Sequence, residues 1–354
     1  MKILIAGSSW HHGVYEASWK NCFENLGVKV VPFSLLYSPD GPVSRIERKY
    51  SLRGWTNKRI NANLISTVTK ENPDLVMIWI GTNIFKETIE AIKSQRRIVV
   101  SYIHDDPFAH LIKKSKSPKF YKNYYQHFIS AIPTYDHLFF SKRINVEECK
   151  KLGAQDGSVL MQYFVPTLHF PVPDQDIPQA YKCDIAFAGH FESDGRDKAI
   201  EALASMGYLV HVYGDFSWKK SKLAGSKNLK LFPRANGSTY QLAIAGAKIC
   251  LCFMSKLNRD EYTTRCFEIP AIGSLLLAER TDSLSNIYSE DVEAVFFSSI
   301  NELREKINFL MDNPEVINKI SKAGMNKVII SGHAVENRAN EVLRTYQKII
   351  EKRK

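Results

Sequence analysis

Short apolar runs and amphipathic stretches alternate along the whole chain. Residues 2–6 are a continuous apolar run after Lys2 and are closed by Gly7, which predicts a strand buried on both faces, as in a parallel sheet. A polar loop from Ser8 to Gly13 leads to a helix near Val14–Leu26, stopped by Gly27. Further strands are predicted over Val28–Phe33, Asp74–Ile80, Arg97–Ile103, His137–Ser141 and Ser158–Tyr163, with helices near Lys58–Glu71, Ile84–Ser94 and Asn145–Leu152 between them. Ser34–Asn57 reads as a long irregular loop, rich in Arg and Tyr and broken by Pro39, Gly41, Pro42 and Gly54; loops of that length are often functional. Lys113–Phe128 reads as a basic stretch, mobile or helical.

Val165–Tyr181 holds Pro166, Pro171, Pro173 and Pro178 with little periodicity, and is the best linker candidate. The pattern then restarts. Asp184–Ala188 is an apolar strand ending at Gly189, followed by a polar loop to Gly195 and a helix Asp197–Met206. Strands over Leu209–Tyr213, Leu229–Phe232, Ile249–Phe253, Ser274–Ala278 and Ala294–Phe297 follow, with a helix Thr239–Ala245 and a short helix Thr263–Ile272. Three helices near Ile300–Asp312, Pro314–Val328 and Ala334–Glu351 end the chain. The expected fold class is α/β: two Rossmann-like parallel-sheet domains in tandem, facing across a cleft. The expected division is 1–165, a linker 166–182, a second domain 183–333, and a helix 334–354 that crosses back to the first domain.

Composition changes this picture little. The 354 residues are 44% hydrophobic and 24% charged, enough for two cores. No apolar run approaches the length of a membrane span, and the start of the chain reads as a strand and not a signal peptide, so a cytoplasmic location is the default expectation. The six cysteines lie in apolar segments without metal spacing and read as reduced core residues. The formal net charge of +11 favours anionic partners: nucleotide diphosphates, DNA, or peripheral contact with an acidic membrane surface.

Ligands of doubly wound sheets sit outside the carboxyl ends of the strands, which selects four loops. The first is Gly7, Ser8, Ser9, Trp10, His11 and His12. The second is His104, Asp105 and Asp106, three titratable groups at a strand exit, suited to proton transfer or to orienting a sugar, with an ordinary polar turn before Pro107 as the alternative. The third runs from Gly189 and His190 to Asp194 and Arg196, and could wrap a diphosphate or be an ordinary strand-to-helix turn. The fourth is Asp260, Tyr262, Thr263, Thr264 and Arg265, with Glu268 three residues on; hydroxyls and a guanidinium at a helix start suit an anion, and simple N-capping is the alternative for the threonines. A carboxylate inside an apolar helix is costly unless held, so Glu268 is expected either to bind a ribose or sugar hydroxyl or to be tied by its neighbours. Dinucleotide and phosphate-loop glycine motifs are absent. No metal spacing is convincing at His11/His12 or at His104–Asp106, and no metal or cofactor is expected.

Arg265–Thr281, Ile185–Arg196, the Asp-Asp-Pro turn at 105–107 and the closing Ala323-Gly324, His333 and Arg338 together resemble the CgeB-like glycosyltransferases. The resemblance implies the GT-B fold, with a nucleotide-sugar as substrate on the C-terminal half and the acceptor on the N-terminal half, and no metal requirement. Asp260, seven residues, then Glu268 is similar to the paired acids of retaining members, with Asp in the place of the first Glu. By that likeness Glu268 would hold the ribose, Asp260 the transferred sugar, and His104 would lie near it. His190 stands where an Arg usually grips the diphosphate, so Arg196 or Arg265 would supply the charge. The expected activity is transfer of a sugar from a nucleotide-diphosphate sugar, UDP-sugar first, to a hydroxyl of a polysaccharide, lipid-linked sugar or metabolite. If the reaction inverts, Asp105 or Asp106 is the candidate base. A modified base in DNA stays open as acceptor, as do a non-catalytic binding module and a sugar-nucleotide epimerase.

Overall fold

A computed structural model describes residues 1–8, 15–36, 41–111, 121–221, 223 and 227–354. Ser9, Trp10, His11 and His12 lie outside the described residues, as do residues 113–120, the first half of the basic stretch. The chain forms two compact units, Met1–Met161 with Val335–Lys354, and Gln162–Ala334.

The first unit is built on six parallel strands: β1 Lys2–Gly7, β2 Lys29–Ser34, β3 Leu75–Trp79, β4 Ile98–Ile103, β5 His137–Phe140 and β6 Gly157–Val159. Their order is β2-β1-β3-β4-β5-β6. β3, β4 and β5 are buried along their whole length, as continuous apolar runs require. One face packs on Leu64, Val68, Ile89, Ile92 and Phe128 from the flanking helices. The terminal helix Val335–Arg353 packs against the helix Tyr15–Asn25, and Arg353 donates to Asp136 at 2.6 Å.

The second unit repeats the architecture with β7 Cys183–Ala188, β8 Val210–Gly214, β9 Leu229–Pro233, β10 Ala247–Cys252, β11 Leu275–Glu279 and β12 Val295–Phe297, in the order β12-β11-β10-β7-β8-β9. Ile249, Leu251, Leu275 and Leu277 meet Ile200, Leu203, Leu303 and Ile307 in its core. The order reverses between β7 and β10, which makes their carboxyl ends the natural ligand crevice of this unit.

Three expectations need correction. Ser34–Asn57 is not irregular throughout: Pro42–Lys49 is a helix and the next helix begins at Trp55. The apolar pattern hid this helix, because it turns Ser44 and Glu47 inward and leaves Val43 and Ile46 exposed. The strand expected over Ser158–Tyr163 is confined to Gly157–Val159; Leu160 and Tyr163 are buried without extending the ladder. A six-residue helix, Asp282–Ile287, follows β11, where no helix was expected; Thr281 caps it by accepting from the Leu284 N–H at 3.1 Å. The proline-rich segment is strapped to the second unit. Phe164 N donates to His333 O at 3.1 Å, and Gln241 Nε2 to Phe170 O at 2.8 Å.

Candidate active site

In the second unit the loop after β7 is held by its own charges. Gly189 is required because a Cβ there would sit 2.7 Å from the Phe187 ring. The Trp218 indole donates to Gly189 O at 2.8 Å and pins the turn. Arg196 is buried: its Nε and Nη2 grip Asp194 at 2.9 and 2.6 Å, and Nη1 donates to His190 O at 2.9 Å. The Arg196 guanidinium is therefore committed to bracing the loop, and its charge is balanced there. Glu192 is buried too, 2.7 Å from His190 Nε2 and accepting from Ser255 Oγ at 3.0 Å. Burial alone would push the Glu192 carboxyl up, but His190, Arg196 and Ser255 together outweigh it and hold it below the usual carboxylate range. His190 itself stays exposed.

The Glu192–Ser255 bond joins the loop after β7 to the loop after β10, across the reversal point of the sheet. That second loop is folded on Ser255 and Asp260. Asp260 N donates to Ser255 O at 2.9 Å, Asn258 Nδ2 donates to Asp260 Oδ1 at 2.7 Å, and Ser255 Oγ accepts from Asn258 N at 3.1 Å. Arg259 takes a left-handed φ of 46° to make the turn. The Asp260 carboxylate is half-buried. Tyr262 is buried against Phe267, the Thr263 hydroxyl lies 3.5 Å from Cys252 Sγ, and Thr264 starts the helix Arg265–Ala271 without a side-chain cap. Arg265 Nε donates to Ala188 O, the last carbonyl of β7. A half-buried guanidinium thus stands at the carboxyl end of the central strand, on the helix that follows the Asp260 loop.

Glu268 faces inward and not toward an opening. It is 3% exposed, accepts from the Tyr240 hydroxyl at 2.8 Å, and lies 3.8 Å from His169 Nε2. Val165 N donates to His169 Nδ1 at 3.0 Å, which leaves the His169 proton on Nε2, facing the carboxylate. Burial lowers the His169 pKa while Glu268 opposes it, so the ring is neutral at pH 7. Tyr240 and His169 thus hold the Glu268 carboxylate in this structure.

In the first unit the loops after β1, β3 and β4 form the corresponding edge. Gly7 is buried at the end of β1, where a Cβ would press on Glu16 Oε1 at 2.7 Å; Ser8 is exposed. Ile80 carries a φ of 65°, rare for a β-branched residue, at the point where this sheet reverses. His104 and Asp105 are both partly exposed. The Trp79 indole donates to His104 Nδ1 at 3.2 Å, which turns Nε2 outward as the ring's donor. The buried Lys142 donates to His104 O at 3.1 Å. Asp106 differs from its neighbours: it is buried and accepts from Phe108 N, Ala109 N and Asn145 Nδ2 at 2.9, 3.0 and 3.0 Å. Those bonds make it the cap of the following turn, whereas Asp105 is the more open of the two acids.

Glu192, Ser255, Asn258, Tyr240 and His169 belong to these networks and were not singled out from sequence. Glu192 could have been, as an acid in a strand-exit loop; the others are ordinary residues made significant by long-range contacts.

The family model described as glycosyl transferase-like matches residues 196–344. Comparison with curated proteins gives no match. Among solved structures, sucrose-phosphate synthase from Thermosynechococcus elongatus is 12% identical, with 99% of each chain covered and a TM-score of 0.70. Anabaena Alr3699/HepE in complex with UDP-glucose is 12% identical, with 98% of this chain and 100% of that chain covered and a TM-score of 0.68. A protein from Listeria monocytogenes described as a putative UDP-N-acetylglucosamine 2-epimerase is 13% identical, with 99% of this chain and 97% of that chain covered and a TM-score of 0.60. The fold is the GT-B fold of glycosyltransferases. The matched segment includes Asp260, Arg265 and Glu268 and starts at Arg196.

Proposed function

We propose that this protein is a glycosyltransferase that uses a nucleotide-diphosphate sugar and transfers the sugar to a hydroxyl acceptor. The observation that carries this reading is the placement of Arg265, at the start of its helix, and Asp260, in the loop leading to it, at the reversal point of the second sheet, within the segment that matches the glycosyl transferase-like family. A guanidinium there suits a diphosphate leaving group, whose developing charge it would stabilise. Asp260 suits the hydroxyls of the transferred sugar. His190, exposed and backed by Glu192, is a second cation for the phosphates when protonated. Glu268 would reach a ribose hydroxyl only by exchanging the bond it makes with Tyr240.

UDP is the first nucleotide to test, because a similar fold was solved with UDP-glucose. In the first unit, Asp105 is the candidate base of an inverting reaction, and His104 with its Nε2 proton is a hydrogen-bond donor to a sugar. Thermal melting with a panel of UDP-, GDP- and dTDP-sugars tests the reading. Stabilisation by one donor, lost in Arg265→Ala, supports it; no stabilisation by any donor overturns it. Since a similar fold occurs in a protein described as an epimerase, product analysis decides between the two: transfer releases nucleoside diphosphate only with acceptor or water, whereas epimerisation returns an isomerised nucleotide-sugar.

A further inference from the structure

The helix Pro42–Lys49 is inside out. Its buried positions are Ser44 and Glu47, and its outward stripe is Val43, Ile46 and then Tyr50, spaced three and four residues apart. The inward side is polar because it has polar work to do. Glu47 accepts from the Thr56 hydroxyl and, at 3.0 Å, from Asn57 N, so it caps the helix Trp55–Glu71 from a separate element. Gly54 has to be glycine there, because a Cβ would lie 2.2 Å from the Glu47 carboxylate. Ser51 donates to Tyr124 O at 2.6 Å and fixes the end of the segment. Held this way, the segment leaves Val43 63%, Ile46 52%, Tyr50 41%, Leu52 45% and Trp55 59% exposed.

The charges on the same segment have one sign. From Gly41 to Arg59 the basic residues are Arg45, Arg48, Lys49, Arg53, Lys58 and Arg59, and the single acid is the buried Glu47. Lys49 lies over the Tyr50 ring at 5.3 Å and Arg59 over the Trp55 ring at 5.4 Å. From the neighbouring helix Lys86–Ser94, Glu87 pairs with Arg53 at 3.1 Å, with both side chains more than half exposed.

We infer that this face, centred on Val43, Ile46, Leu52 and Trp55 and rimmed by Arg45, Lys49, Lys58 and Arg59, docks the protein on the surface of an anionic lipid bilayer. Aliphatic and aromatic side chains beside a rim of like-signed basic residues match the boundary between acyl chains and acidic headgroups. A nucleic acid would use the basic residues and the two rings but offers nothing to three exposed aliphatic side chains. The inference is independent of the donor reading, which concerns the other unit.

The test uses the full chain and sedimentation with vesicles of phosphatidylcholine alone or with about one-third phosphatidylglycerol. Binding is expected to the anionic vesicles and to fall with added salt. Ile46→Asp combined with Trp55→Ser should lower it about tenfold or more, and Arg45→Glu combined with Arg59→Glu should do the same. All four positions are exposed, so unchanged thermal melting is expected to show that the variants fold. Equal binding of wild type and variants, or no binding to anionic vesicles, overturns the inference. So does a result in which the same substitutions abolish only DNA retention, or only a concentration-dependent dimer. An unchanged nucleotide-sugar shift in the variants separates this outcome from failure of the donor reading.

Discussion

Adjacent acids at 105 and 106 have opposite surroundings, and that difference is testable. Asp106→Ala strands the Phe108 and Ala109 N–H groups in a buried turn and takes one of two acceptors from the Asn145 amide, and should cost about 1–3 kcal/mol in denaturant unfolding. Asp105→Ala should change stability by less than about 0.5 kcal/mol, so any loss of turnover it causes would report chemistry. Glu268 calls for a pair of substitutions. Glu268→Ala leaves the Tyr240 hydroxyl and the His169 Nε2 proton facing a void and should lower stability by about 1–3 kcal/mol. Glu268→Gln keeps an acceptor for Tyr240 and should melt near wild type; if it nonetheless loses the nucleotide-sugar shift, the carboxylate is used in binding. Sequence reasoning identified Glu268 as a residue that something must hold, because an acid in an apolar helix announces its cost. It did not find Tyr240 or His169, which lie 28 residues before Glu268 and beyond and reach it only in the folded unit.

Among the elements, the loop from Gly189 to Arg196 shows how a charged motif can be structural and still shape a site. Asp194→Ala should cost about 3 kcal/mol, since Arg196 is buried and its nearest carboxylate would then be Glu192 at 3.6 Å, beside the bond it keeps to His190 O. Thermal melting measures the loss. If the brace positions the loop after β10 through Glu192 and Ser255, the donor shift of Asp194→Ala should weaken along with stability, whereas His190→Ala should weaken the shift alone. Continuous apolar runs such as β3, β4, β7 and β11 were legible because burial on both faces leaves no room for polar residues. The helix Pro42–Lys49 was not, because helix recognition assumes that the apolar stripe faces the core. There the stripe faces out, and the core-facing positions are spent on capping a neighbour. The strand expected to reach Tyr163 failed for a related reason: Leu160 and Tyr163 are apolar because they are buried, and burial does not require a ladder.

At the scale of the whole molecule, four histidines give a prediction about acid. His127 and His137 lie in the first unit, His169 and His211 in the second, and all four are buried. Burial lowers the pKa of each; Ser51 opposes this at His127, Asp156 at His137 and Glu268 at His169, without reversing it. A folded-state pKa below the ordinary 6.5 means that the unfolded chain binds these protons first. Stability is therefore fully present above pH 6.5 and declines as the pH falls through it, until each ring also titrates in the folded state. Each such histidine contributes a slope of at most about 1.4 kcal/mol per pH unit. Glu192, held below its ordinary value, adds a further loss in more acidic solution, below about pH 4.5. Because each unit carries two of the rings, both should weaken over the first window, and urea midpoints measured between pH 7.5 and about 5 should drop monotonically. His211→Gln, where burial and the neighbouring Lys230 both disfavour the charged ring, should flatten the curve by one histidine's share. A midpoint that holds steady down to pH 5 would show that these rings are charged in the folded protein. The neutral His169 placed against Glu268 would then be the first assignment to fall.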